Sequence, residues 1–230
     1  MTALSILFIG GTGVISSGCA PRAVAAGHDL TVLNRGSTSI RPVPEAVEVL
    51  KADIRDGASV RAAIGDRDFD VVVNFVAYTP EQVQSDVDLF TGRTGQYVFI
   101  SSASAYQKPP RRVPVTESTP LHNPYWQYSR DKIACEQTLL QANHDNDFPV
   151  TIVRPSHTYD RTTVPIQGHW TQIDRRRGPG AVTHLARGRS QLLHRLVAEL
   201  HAGRVAGSKR KHGSEQPHDE PPISDRSTVS

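Results

Sequence analysis

Leu4-Ser-Ile-Leu-Phe-Ile-Gly-Gly-Thr-Gly-Val-Ile-Ser-Ser-Gly18 is an apolar run that breaks into a glycine-rich turn and re-forms as a helix. Leu4 to Ile9 has the character of a short buried strand, and Gly10, Gly11 and Gly13 form a turn small enough for a phosphate to approach bare backbone. The segment from Val14 to Ala26 is then a helix whose first N–H groups point at that phosphate. The spacing Gly10-x-x-Gly13-x-x-Ser16 departs from the dinucleotide-binding pattern at its last position. Glycine there lets helix and strand pack closely, whereas Ser16 brings a Cβ and a hydroxyl to the contact. The two glycines nearest the phosphate remain, so the turn still predicts a dinucleotide site.

A chain of 230 residues is long enough for one substantial α/β core, yet its hydrophobic content is only 37%. The deficit is uneven. Residues 1–174 hold 15 of the 26 Lys and Arg but 18 of the 23 Asp and Glu, so the basic balance belongs to residues 175–230. The folded part therefore carries no broad electrostatic footprint for nucleic acid. The only two cysteines, Cys19 and Cys135, fall in predicted helices, and a pair of half-buried thiols suits a reducing compartment better than a disulfide framework. No cationic region precedes the first apolar run, which is too short to span a bilayer, so the expectation is a cytoplasmic protein with no membrane partner.

Strand and helix alternate along the chain. Leu30 to Asn34 is the second predicted strand and Val47 to Leu50 the third, followed by a helix at Gly57 to Ile64. Phe69 to Phe75 has the near-continuous apolar character of a strand buried on both faces, and Thr79-Pro-Glu-Gln opens a helix with Val83, Val87 and Phe90 inward. Tyr97 to Ile100 is the fifth strand, Gln107 to Pro124 a Pro-rich loop, Tyr125 to Ala142 the longest helix, and Val150 to Val153 the sixth strand. This order predicts a doubly wound parallel α/β sheet of Rossmann type over residues 1–174. Beyond it, residues 175–230 form a basic low-complexity tail with one helical candidate at 190–202 and disorder elsewhere.

Tyr128 and Lys132 lie four residues apart on the longest helix and share a face. A neighbouring ammonium favours a phenolate, so Lys132 is expected to pull the Tyr128 pKa below its usual value of about 10. A tyrosine tuned in that way exchanges a proton with a substrate hydroxyl or carbonyl. Ser101-Ser102 ends the fifth strand at the carboxyl edge of the sheet, where ligands bind in open α/β folds. A hydroxyl there reaches the oxygen that Tyr128 serves.

Gly10-Gly-Thr-Gly-Val-Ile-Ser16, Asp53-Ile54, Phe75-Val-Ala77, Ser101-Ser-Ala-Ser-Ala-Tyr106, Tyr128-x-x-x-Lys132 and Arg154-Pro155 run in order over residues 4 to about 160. As an ordered set they resemble an extended or atypical short-chain dehydrogenase/reductase of the NAD-dependent epimerase/dehydratase group. The resemblance implies Ser102, Tyr128 and Lys132 as the catalytic set, with Lys132 also holding the nicotinamide ribose. It implies cofactor contacts from Gly10, Thr12, Gly13, Val14, Ile15, Asn34, Arg35, Asp53, Ile54, Phe75, Val76, Ala77 and Pro155, with Asp53 near the adenine and no metal. Ser16 departs from the group's glycine, and Tyr159-Asp160 stands where the group often continues Tyr-Gly.

Similar proteins continue past the sixth strand into a mostly helical substrate domain. Here that stretch is rich in Arg, Gly and His, so the expectation is a truncated or frame-shifted C-terminal part near Asp174 to Gly180 and an impaired activity. An NAD site usually carries an acid at the end of the second strand for the ribose 2′-OH. Asn34-Arg35 stands there instead, which predicts NADP or NAD as cofactor with a modest preference for NADP. The function implied is an NAD(P)-dependent oxidoreductase or epimerase acting on a hydroxyl or carbonyl compound, a nucleotide sugar being one candidate. The alternative is a non-catalytic dinucleotide- or RNA-binding protein of the same fold, because the group also resembles chloroplast stem-loop-binding proteins. Arg175-Arg-Arg177 and Lys209-Arg-Lys211 would then contact phosphates, although a solvated basic tail is the preferred account. A homo-oligomer is compatible with this reading.

Overall fold

Short apolar strands alternate with helices that each bury one face, the pattern of a sheet covered on both sides. The computed structural model describes residues 2–36, 40–160 and 162. Its strands are β1 (Ser5–Ile9), β2 (Asp29–Asn34), β3 (Glu48–Lys51), β4 (Val71–Asn74), β5 (Tyr97–Ile100) and β6 (Val150–Val153). Its helices are α1 (Val14–Ala25), α2 (Gly57–Ile64), α3 (Pro80–Phe90) and α4 (Gln127–Asn146). All strand pairs are parallel in the order β3-β2-β1-β4-β5-β6, so the order reverses between β1 and β4. That reversal opens a crevice at the carboxyl edge of the sheet, the usual ligand position in such folds. This is the doubly wound Rossmann-type sheet expected from the sequence. The expected tail at 175–230, its helix at 190–202 and its basic clusters lie outside the described residues.

Side chains alternate across each strand, and the two faces bury separate layers. Leu7, Ile9, Val72 and Phe99 face Val60 of α2, Val83 and Val87 of α3, and Leu139 of α4. Ile6, Phe8, Val73 and Val98 face Cys19, Ala20 and Ala23 of α1. Each such fully buried aliphatic or aromatic side chain contributes roughly 1.5–3 kcal/mol. Pro21 sits inside α1, where the missing N–H breaks a helical bond, and the buried Cys19, Ala20 and Ala23 hold the helix to the sheet across it. Both thiols are fully buried, a correction to the half-buried expectation, and burial pushes each up to about 12.

Element ends shift where tertiary contacts override local pattern. Phe69 lies outside β4 in an isolated bridge to Thr94, and Phe75 leaves the strand to pack edge-on against Phe8 at 5.1 Å. Helix α4 starts at Gln127 rather than Tyr125, because the Asn123 side chain accepts the Tyr125 N–H and holds that residue in the preceding turn. It runs on to Asn146 and ends where Asp147 turns left-handed at φ 53°. Tyr128 thus sits in the first turn of α4, beside the carboxyl edge. The Pro-rich loop folds back on itself through a Tyr106–Leu121 bridge and a bond from Lys108 N–H to the His122 carbonyl.

Candidate functional site

Two of the turn glycines are required where they stand, Gly10 by its backbone and both by the side chains packed against them. Gly10 has φ +89°, and a Cβ there would run into Val76, while a Cβ on Gly11 would run into Val32. Gly13, at the start of α1, has ordinary φ and only the Ser16 hydroxyl nearby, so the missing side chain leaves the backbone bare toward the crevice. Ser16 does not press on the strand as a wedge. It is buried and turned to its own helix start, where its Oγ accepts the Gly13 N–H at 2.9 Å. The N–H groups of Val14 and Ile15 follow in the first turn, where an α-helix has no internal acceptor for them.

A cleft of about 260 Å³ opens at the β1/β4 crevice. Of the residues expected to contact a cofactor, Gly10, Thr12, Asn34, Arg35, Asp53, Ile54 and Val76 line it. Gly13, Val14 and Ile15 stand at the adjoining helix start, and Phe75, Ala77, Pro155 and Lys132 lie outside the cleft wall. Arg55 and Tyr78 line it as well, although neither carries a sequence signal of its own. A bare-backbone turn at a helix N-terminus, continuous with a cleft reaching the ends of β2 and β3, fits a pyrophosphate with an attached adenosine.

Beyond the cleft lie Ser102, Tyr128 and Lys132. The Lys132 ammonium is buried and donates to the carbonyls of Ala77 at 2.6 Å and Ile100 at 2.8 Å. It rests over the rings of Phe99 at 4.5 Å, Tyr78 at 4.8 Å and Tyr128 at 5.8 Å. Loss of hydration pulls its pKa down to about 8. Tyr128 contradicts the expectation of a lowered pKa. Burial raises it, the Ser102 hydroxyl works in the opposite direction, and the Lys132 ammonium is turned into the two carbonyls. The ring of Tyr128 lies 4.8 Å from that of Trp126 and 6.2 Å from that of Tyr78. Trp126 and Tyr78 are both exposed and form an aromatic shelf beside the phenol.

Side-chain bonds from distant parts of the chain hold this apparatus, and sequence reading missed them. Asn74, the last residue of β4, accepts the N–H groups of Val76 and Ala77 on Oδ1 at 2.7 and 2.8 Å. Its amide donates to Asp86 of α3, which also accepts the Tyr97 hydroxyl. Behind Ser102, Glu136 of α4 takes a two-pronged contact from Arg154 and the Ser101 hydroxyl. Pro155 is buried, and its carbonyl accepts the Ala103 N–H at 2.9 Å, so Arg154-Pro155 anchors the turn that carries Ser102.

No group of His, Cys, Asp or Glu among the described residues could hold a metal ion, and no described helix is long and apolar enough to cross a membrane. Residues 6–195 match the model of the NAD dependent epimerase/dehydratase family. UDP-glucose 4-epimerase of Lactobacillus helveticus is 29% identical over 168 residues, which cover 66% of this chain and 51% of that protein. Among solved structures, UDP-glucose 4-epimerase from Brucella ovis in complex with NAD superposes with a TM-score of 0.58 at 24% identity, covering 65% of this chain and 50% of that one. The Bordetella bronchiseptica enzyme WbmG in complex with NAD and UDP gives 0.55 at 20% identity, covering 66% and 53%. The chain spans about half the length of the relatives it matches.

Proposed function

Because the chain belongs to the NAD dependent epimerase/dehydratase family, we propose that it carries the cofactor and proton-transfer half of a reaction at a secondary alcohol of a nucleotide sugar. The observation that carries this reading is the placement of Ser102, Tyr128 and Lys132 beside a glycine-floored cleft at the β1/β4 crevice. Gly13 and the first turn of α1 would take the pyrophosphate, and Asp53 and Ile54 would flank the adenine. Two of the three Lys132 N–H donors are spent on carbonyls, which would leave the third for the ribose next to the nicotinamide. When bound, an oxidised nicotinamide would supply the hydride acceptor. Tyr128 takes the proton of the substrate hydroxyl as its carbon is oxidised and returns it on reduction, while Ser102 donates to the same oxygen. The shelf of Trp126 and Tyr78 offers a flat face for the sugar ring.

The UDP-sugar relatives make UDP-hexoses the first substrates to screen. Tyr128→Phe should abolish epimerisation, followed by chromatography of the products, while calorimetry finds dinucleotide affinity nearly unchanged. Lys132→Ala should weaken both. Retention of most activity by Tyr128→Phe would remove the acid/base assignment. Dinucleotide binding with no turnover on any nucleotide sugar would instead leave the chain a binding protein.

A further inference from the structure

The Ser102 hydroxyl sits at the end of a chain of hydrogen bonds whose direction is set from its far end as far as Ser104. Asn123, largely buried, accepts the Tyr125 N–H on Oδ1 at 3.2 Å and donates from Nδ2 to the Ser104 carbonyl at 2.8 Å. One of these backbone partners can only donate and the other can only accept, so the amide has a single allowed orientation. Its Nδ2 also donates to Ser129 Oγ at 3.2 Å. Ser129 is fully buried on α4, and its proton goes on to Ser104 Oγ at 2.9 Å. Ser104 Oγ accepts that bond and lies 2.9 Å from Ser102 Oγ, which leaves its own proton available to Ser102. Ser102 Oγ further accepts the Ser104 N–H at 3.1 Å. With Ser104 as the donor, both lone-pair positions of Ser102 are filled and its proton points away from the turn.

We propose that Asn123, Ser129 and Ser104 are positioning residues that fix the Ser102 hydroxyl as a hydrogen-bond donor toward Tyr128 and the oxygen that Tyr128 serves. The proposal rests on the reading of Ser102 and Tyr128 as a working pair. It assigns a task to three polar residues outside the Ser102, Tyr128 and Lys132 set. The contact between Ser102 and Tyr128 favours the phenolate, as a donor to that oxygen must. Tyr78 from the segment after β4, and Lys132 and Cys135 from α4, face the same phenol and are unchanged in the variants below.

The test reads the phenol without needing a substrate. Ultraviolet titration of each full-length chain, minus that of its Tyr128→Phe counterpart, isolates one phenol among the 6 tyrosines. Asn123→Asp is nearly isosteric but turns the donor into an acceptor, which reverses each hydroxyl in turn and draws the Ser102 proton inward. The Tyr128 pKa should then rise by about one unit or more. Ser129→Ala breaks the chain without reversing it and should shift Tyr128 in the same direction by less. It also carries the test if a buried carboxylate at 123 prevents folding. Where turnover exists, the Asn123→Asp chain should regain it as pH falls and the new carboxyl becomes a donor, a recovery that the unsubstituted chain lacks. A Tyr128 titration unchanged in both variants, with melting temperatures intact, overturns the proposal whatever the turnover shows. A shifted titration in a chain that converts no nucleotide sugar overturns only the reaction proposed above.

Discussion

At the level of a single side chain, Arg35 bears on the choice between NAD and NADP. It is exposed at the end of β2 and lines the cleft beside Asn34, whose Oδ1 is held by the Gly36 N–H at 2.7 Å. Asn34 therefore brings no charge to repel a 2′-phosphate, and Arg35 brings one to attract it. A charge-assisted contact of about 1.5–3 kcal/mol corresponds to roughly ten- to a hundredfold in affinity. We expect Arg35→Ala to cost NADP binding by that factor while NAD binding barely changes, as calorimetry with both cofactors would show; an equal loss for both would put Arg35 elsewhere. Individual residues also mark where sequence reading stops. The spacing of Tyr128 and Lys132 correctly placed both on α4, but spacing along a helix says nothing of where a flexible ammonium ends. Lys132 ends on the Ala77 and Ile100 carbonyls, and the phenol is left to burial.

Among the elements, β4, β5, α3 and α4 are joined by buried polar bonds as well as by apolar packing. The elements themselves were legible because runs such as Val71–Asn74 and Tyr97–Ile100 are apolar and bounded by turn residues. The bonds between them were not, because Asn74–Asp86–Tyr97 and Ser101–Glu136–Arg154 join residues far apart in sequence whose meeting depends on the finished sheet. Glu136 is fully buried, and Arg154 is its countercharge. Removing the guanidinium leaves a buried carboxylate unpaired, so Arg154→Met should destabilise the chain by about 3–5 kcal/mol in urea unfolding. The double variant Arg154→Met/Glu136→Leu should recover much of that loss. A single variant as stable as the parent would show that the pair is not closed. Asp86 gives a pH test. Burial pushes its carboxyl up to about 7, against the hydrogen bonds from Tyr97 and Asn74, while an unfolded aspartate titrates near 3.9. Between these values the folded chain keeps a proton that the unfolded chain has lost. The group's contribution is thus full below about pH 4 and is lost as pH rises through 7. From pH 5 to 7 the parent should lose roughly 2–3 kcal/mol relative to Asp86→Asn, whose side chain has no such titration. Parallel stability curves for the two chains would place Asp86 in a more hydrated setting.

At the scale of the whole molecule, the cleft is where the two halves of the sheet meet. Its walls come from the ends of β1, β2 and β3 on one side and from Val76 and Tyr78 after β4 on the other. A ligand seated there bridges both halves, so its binding energy becomes stability of the entire folded chain. At a free dinucleotide concentration one hundred times Kd, the gain is about 2.7 kcal/mol, or roughly 5–10 °C in melting temperature for a domain of this size. The glycines separate this linkage from the fold itself. Gly10→Ala imposes a side chain on a φ of +89° and drives its Cβ into Val76, so it should lower the melting temperature with or without ligand. Gly13 has an ordinary backbone, and an added Cβ meets only Ser16 Oγ at 3.4 Å, a contact that a small shift relieves. The same methyl projects from the helix start at which a pyrophosphate would be seated. Gly13→Ala should therefore melt within a degree or two of the parent when free and lose most of the ligand-induced rise. A Gly13→Ala chain that keeps the full rise would place the phosphates away from this turn and the cofactor in another part of the crevice.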